Sequence, residues 1–106
     1  MGRMKTRRET LEEFVAADPD DSFSRYALAL ELDKAESRVS AASELREVLA
    51  RDPAYVAAYY HLGRILSRLG ELDEARSVYT RGLQAAAAAN DKRALSEIQE
   101  ALDMLD

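Results

Sequence analysis

The stretch Asp52–Ala75, DPAYVAAYYHLGRILSRLGELDEA, decides the reading of this chain. It contains the only histidine, His61, between Tyr60 and Leu62 and two residues before Gly63. Apolar residues recur at helical spacing: Tyr59, Leu62 and Leu66 share one face, and His61 and Tyr60 point away from it. Gly70 is a natural helix stop, because a left-handed residue after the last turn suits glycine. Asp52 followed by Pro53 reads as an N-cap and a first helical residue. A second helix is expected from about Asp73, with Ala75, Val78, Tyr79, Gly82 and Leu83 on one face. Gly63 and Ala75 are small where the two antiparallel helices would cross.

The stretch has an upstream echo. RDPAYVAAYYHLG at 51–63 is answered by ADPDDSFSRYALA at 17–29. Asp18-Pro19 and Asp52-Pro53 are 34 positions apart. At the same offset Tyr26 matches Tyr60, Leu28 matches Leu62, and Leu32 matches Leu66. Further on, Ala41 matches Ala75, Ser43 matches Ser77, and Leu49 matches Leu83. No gap is needed, and most matches fall at apolar or small positions. The first unit therefore reads as helices near 21–34 and 38–51. Pro19 and Pro53 each sit just past a helix and help to end it.

The period and the residues resemble the tetratricopeptide repeat, a helix-turn-helix unit of 34 residues. The second unit supplies Tyr59, Leu62, Gly63, Leu66, Ala75 and Tyr79 at the positions of that pattern. The first supplies Leu28, Ala29, Leu32, Ala41 and Leu45 and closes with Pro53, but Arg25 stands where the large aromatic belongs. Gly82 replaces a usual alanine, and Ala87 stands where proline would close the second unit, so no standard third repeat is expected. FSRYALALEL at 23–32 and YVAAYYHLGRIL at 55–66 are also similar to small bacterial proteins of this type, which implies a cytoplasmic setting.

The expected architecture is a single all-α domain over 1–106, a helix-turn-helix solenoid. An N-terminal half-repeat helix occupies 6–17, repeat 1 occupies 19–52, repeat 2 occupies 53–87, and a capping helix occupies 91–105. Thr6 to Glu9 is a capping box. Leu11, Phe14 and Val15 follow on one face, in register with the second helix of a repeat. Asn90 can stop the long helix and Asp91 can cap the last one. Ala94, Leu95, Ile98, Ala101, Leu102 and Leu105 then form an apolar stripe that would close the open end of the solenoid. Six helices and no sheet are expected.

Composition narrows the function. The chain has 47% hydrophobic and 33% charged residues, which suits a globular domain. It has no cysteine, so disulfides, thiol catalysis and cysteine metal sites are excluded. That also fits a reducing compartment. The net charge of −5 disfavours nucleic acid as a partner. No apolar run is long enough to span a bilayer, and no membrane partner is expected. Met1-Gly2 with Thr6 formally matches a loose myristoylation pattern, and an unmodified basic tail is the expectation.

The resemblance implies that the first helix of each repeat lines a concave, peptide-binding face. Its residues here are Phe23, Tyr26, Ala27, Leu30 and Lys34 in repeat 1, and Ala57, Tyr60, His61, Arg64 and Arg68 in repeat 2. Aromatics with arginine suit a peptide and its carboxylates. The expected function is a non-enzymatic protein-interaction module that holds a peptide or helix, with an acidic segment as the favoured feature. The family's chaperone-binding members clamp a terminal carboxylate with lysine and asparagine. Ala27 and His61 stand at the asparagine positions, so that clamp is not expected. Two rivals remain: a homodimer joined through Leu102 and Leu105 or through exposed tyrosines, and an enzyme using His61 as general base. Neither a cofactor nor a metal is expected. DPDDS at 18–22 lacks the glycine and glutamate of a calcium loop, having Phe23 and Ala29 there.

Overall fold

In the computed structural model, residues 3–105 are described, and Met1 and Gly2 of the lipidation pattern lie outside them. Six helices follow one another: α1 (Arg7–Ala17), α2 (Ser22–Lys34), α3 (Arg38–Arg51), α4 (Val56–Arg68), α5 (Leu72–Ala88) and α6 (Lys92–Asp103). No strand occurs among the described residues. The molecule measures 52 × 28 × 20 Å, the elongated form of stacked helical hairpins.

Local chemistry sets most helix ends. Thr6 and Glu9 form the reciprocal capping box of α1. Asp21 caps α2 by accepting from the Ser24 N–H at 3.2 Å and its hydroxyl at 2.6 Å, which holds its carboxyl below the usual range. Asp91 caps α6 through the Ala94 N–H at 3.0 Å. Three helices stop at a left-handed residue: Glu36 at φ 61°, Gly70 at φ 80° and Asn90 at φ 56°.

One expectation is corrected. Helix α4 does not begin at Pro53. Asp52 ends α3 instead, its backbone N–H donating to the Val48 carbonyl at 2.7 Å. Pro53 stays in the turn because its carbonyl accepts a hydrogen bond from the Tyr59 hydroxyl at 2.7 Å. Phe14 is not packed: it is 54% exposed, whereas Leu11 is buried. Its counterparts, Val48 and Gly82, are both buried. Among the described residues no helix precedes α1, so the outer side of Phe14 stays bare.

The core runs the length of the stack. Ala29, Ala41, Leu45, Val48, Ala58, Leu66, Ala75 and Ile98 have no exposed surface. A side chain at Gly63 would collide with the Tyr79 ring. A Cβ at Gly82 would lie 2.7 Å from Tyr59 Cβ and 3.2 Å from Ile98 Cδ1. These contacts seat α6 on the second repeat. Leu102 and Leu105 are half-buried within their own chain, and Leu105 packs against the core.

Candidate functional site

Helices α2, α4 and α6 share one side of the stack. Ring contacts carry this side across α2 and α4. Tyr26 lies 5.1 Å from Tyr55 and 5.4 Å from His61, centroid to centroid. His61 meets Tyr60 edge-on at 5.6 Å, and the Arg64 guanidinium lies over the Tyr60 ring at 5.6 Å. The first helices of both repeats present these groups because Tyr26 and Tyr60 are equivalent positions.

Beside this row lies a cavity of about 250 Å³ between α4 and α6. Val56, Ala57 and Ala94 supply apolar surface over the buried Ile98, Tyr60 and His61 form one wall, and Asp91, Arg93 and Glu97 supply its charges. A shallower opening of about 300 Å³ continues from it past Tyr60 and Glu97 to Arg64, Glu100, Ala101 and Met104.

His61 is half-buried, and its proton affinity is lowered by burial first and by Arg64 second, against the opposing pull of Asp33 and Glu97. Burial raises the Tyr26 phenol, with a smaller contribution from Tyr55. At neutral pH Tyr26 and His61 are therefore uncharged. Among the described residues no hydrogen bond orients the His61 ring, and the cavity lining holds no serine or threonine hydroxyl that it could activate. No group of three or more potential ligands for a metal occurs among them either.

The expected site residues separate into four sets. Tyr26, Tyr60, His61 and Arg64 come together. Leu30 is half-buried on α2. Lys34 and Arg68 stand exposed at the ends of their helices; Lys34 lies 3.7 Å from Glu31, and Arg68 makes no ion pair among the described residues. Phe23 is 68% exposed and lines a different opening, with Leu11 and Phe14, at the N-terminal edge.

The sequence reading missed the contribution of α6. The sequence assigns this helix a capping role and, in one rival reading, a dimer contact, but no part in the groove, yet Arg93, Ala94 and Glu97 wall the cavity beside His61. A register signal was available. Helix α6 begins 36 residues after α4, so Glu97 falls beside His61 and Glu100 beside Arg64.

Comparison with known proteins agrees with this architecture. Residues 34–102 match the family model described as tetratricopeptide repeat. The TPR repeat-containing protein PA0015 of Pseudomonas aeruginosa is 33% identical over 98 residues, covering 92% of this chain and 93% of that protein. The crystal structure of a tetratricopeptide repeat domain protein of Salinibacter ruber is 38% identical, with a TM-score of 0.77, covering 80% of this chain and 96% of the other. Protein BPP2914 of Bordetella parapertussis is 31% identical, with a TM-score of 0.81, covering 96% and 89%. The second such domain of human RPAP3, solved in complex with the HSP70 peptide SGPTIEEVD, shares the fold at 21% identity and a TM-score of 0.74, covering 89% and 77%. The chain belongs to the tetratricopeptide-repeat family.

Proposed function

We propose that this protein is a non-enzymatic interaction module that holds a peptide or helix of a protein partner on the side formed by α2, α4 and α6. Domains of this fold generally mediate protein–protein contacts, and the RPAP3 domain carries a bound peptide. The observation that carries the reading is the cavity beside His61. It joins apolar surface to an aromatic wall, and the opening that continues from it past Tyr60 is lined by Arg64, a cation that makes no ion pair among the described residues. Arg64 and Arg68 suit an acidic residue of the partner. The proposed setting is the cytoplasm, where a cysteine-free chain is at no disadvantage. Among the described residues no helix is long and apolar enough to cross a membrane.

The test is capture from cell lysate by immobilised wild type and by a Tyr60→Ala/Arg64→Glu variant that keeps its helical circular dichroism. A partner held by wild type and lost by the variant supports the reading. A partner held equally by both moves binding to another surface.

A further inference from the structure

The groove between α4 and α6 has walls of opposite charge. Helix α4 contributes Arg64 to the wall, and Arg68 stands exposed at its C-terminal end; neither makes an ion pair among the described residues. Helix α6 contributes Glu97 and Glu100. Arg64, Glu97 and Glu100 line one opening, yet no ion pair closes across it. The ion-pair partner of Glu97 is Arg93, on its own helix at 3.8 Å. Elsewhere this chain does pair charges between elements. Arg46 grips Glu74 with two hydrogen bonds of 2.9 Å, from α3 to α5. Arg51 meets Asp20 at 2.6 Å, and Arg7 meets Glu31 at 3.0 Å. Across that opening Arg64 faces Glu97 and Glu100 with no ion pair between the two helices, and Val56, Ala57 and Ala94 give the adjoining cavity its apolar surface.

We propose that this groove takes an amphipathic helix of the partner with split flanks. Its apolar stripe would lie against Val56, Ala94 and Tyr60, with acidic residues toward Arg64 and Arg68 and basic residues toward Glu97 and Glu100. Helix α4 has 13 residues. At the helical rise that is about 20 Å, enough to seat roughly 13 residues of a docked helix. An apolar face laid in a groove supplies affinity, and flanking charges fix orientation and exclude wrong partners. The proposal rests on the interaction-module reading and adds the partner's chemistry and polarity.

Three fluorescein-labelled synthetic helices test it. Each has about 14 residues, as the groove length requires, and the same leucine stripe. One carries acid on one flank and base on the other, one is acidic on both, and one is basic on both. Anisotropy titrations should show wild type preferring the split peptide over each uniform one by about tenfold. The net charge of −5 favours any basic probe at long range, so the change between variants is decisive. Arg64→Glu should move the preference to the basic peptide, and Glu100→Arg to the acidic one. Equal binding of all three peptides, or variants that leave the order unchanged, would overturn the split-charge proposal while sparing the interaction-module reading. No binding of any peptide up to about 1 mM would remove the groove from both.

Discussion

Arg25 and Tyr59 occupy the same position in successive repeats and do the same structural work. Each donates a hydrogen bond to the carbonyl of the proline six residues before it: Arg25 Nη2 to Pro19 at 3.2 Å, and Tyr59 Oη to Pro53 at 2.7 Å. A buried guanidinium thus replaces an aromatic ring. It brings a charge that must be matched, and Glu44 matches it at 3.0 Å. In the second repeat the position of Glu44 is held by Val78, because a tyrosine needs no carboxylate.

That equivalence predicts an outcome for paired substitution. Arg25 is 8% exposed, and its Nε is buried without a hydrogen-bond partner. Arg25→Ala should destabilise by about 2 kcal/mol, since it strands Glu44 and frees the Pro19 carbonyl. Arg25→Tyr/Glu44→Val rebuilds the arrangement of the second repeat. It should be at least as stable as wild type, because replacing a buried ion pair by packed apolar groups is often neutral or favourable. Urea denaturation of the three proteins decides it, and a double variant weaker than Arg25→Ala would contradict the equivalence.

A second pair of equivalent contacts concerns the crossing within each repeat. Gly63 abuts the Tyr79 ring, which is 2% exposed. The first repeat solves the same crossing with Ala29 and Leu45, both fully buried. Gly63→Ala should therefore overpack and cost about 2 kcal/mol. In a Tyr79→Leu background the same change should cost less than about 0.5 kcal/mol, since the smaller side chain leaves the space. A double-mutant cycle by thermal or urea unfolding measures that coupling, and additive costs would show that the ring is not what the methyl group meets.

The same equivalences explain what was legible in the sequence and what was not. The spacing of 34, the small residues at Gly63 and Ala75, the capping box at Thr6 and the stops at Gly70 and Asn90 are local signals, and each is found as read. The third stop, Glu36, was hidden because a glutamate carries no mark of a positive φ. The start of α4 was misplaced because Asp52-Pro53 is a good local start, overruled by a hydroxyl contact from Tyr59 one turn inside the helix. Phe14 was read from its own helix, whereas its exposure depends on a neighbour that is absent among the described residues. The role of α6 required the register between two helices, which caps and stripes do not reveal.

Glu36 itself gives a test. It adopts φ 61° at the position where the second repeat has Gly70, and its one ion pair, to Arg38, is 3.8 Å long with the Glu36 side chain 79% exposed. A left-handed conformation costs an ordinary side chain more than it costs glycine. Glu36→Gly should stabilise the protein by about 0.5–1 kcal/mol despite the greater chain entropy of glycine when unfolded. The midpoint of chemical denaturation is the readout, and a fall would mean that the turn imposes no strain on Glu36.

His61 provides the pH dependence. Burial, reinforced by Arg64, lowers its folded-state proton affinity below the ordinary value of 6.5. As pH falls through that value, the unfolded chain takes up a proton that the folded chain resists. The unfolded state then binds more protons, so stability must decline with falling pH. The decline continues until the lower, folded value is passed and then adds nothing further from this group. Carboxylates act lower down. Glu74 is held below its ordinary range by Arg46, and Glu9 is pushed down to about 2, mainly by Arg3. Their contributions are present above the ordinary value of 4.5 and fade beneath it. The histidine effect is therefore read between about pH 7 and pH 5. Wild type should lose stability across that interval, and His61→Gln, which keeps a polar side chain of similar reach without a titrating ring, should flatten the profile. Thermal melts at matched ionic strength provide the comparison, and parallel profiles for the two proteins would show that His61 titrates as freely when folded as when unfolded.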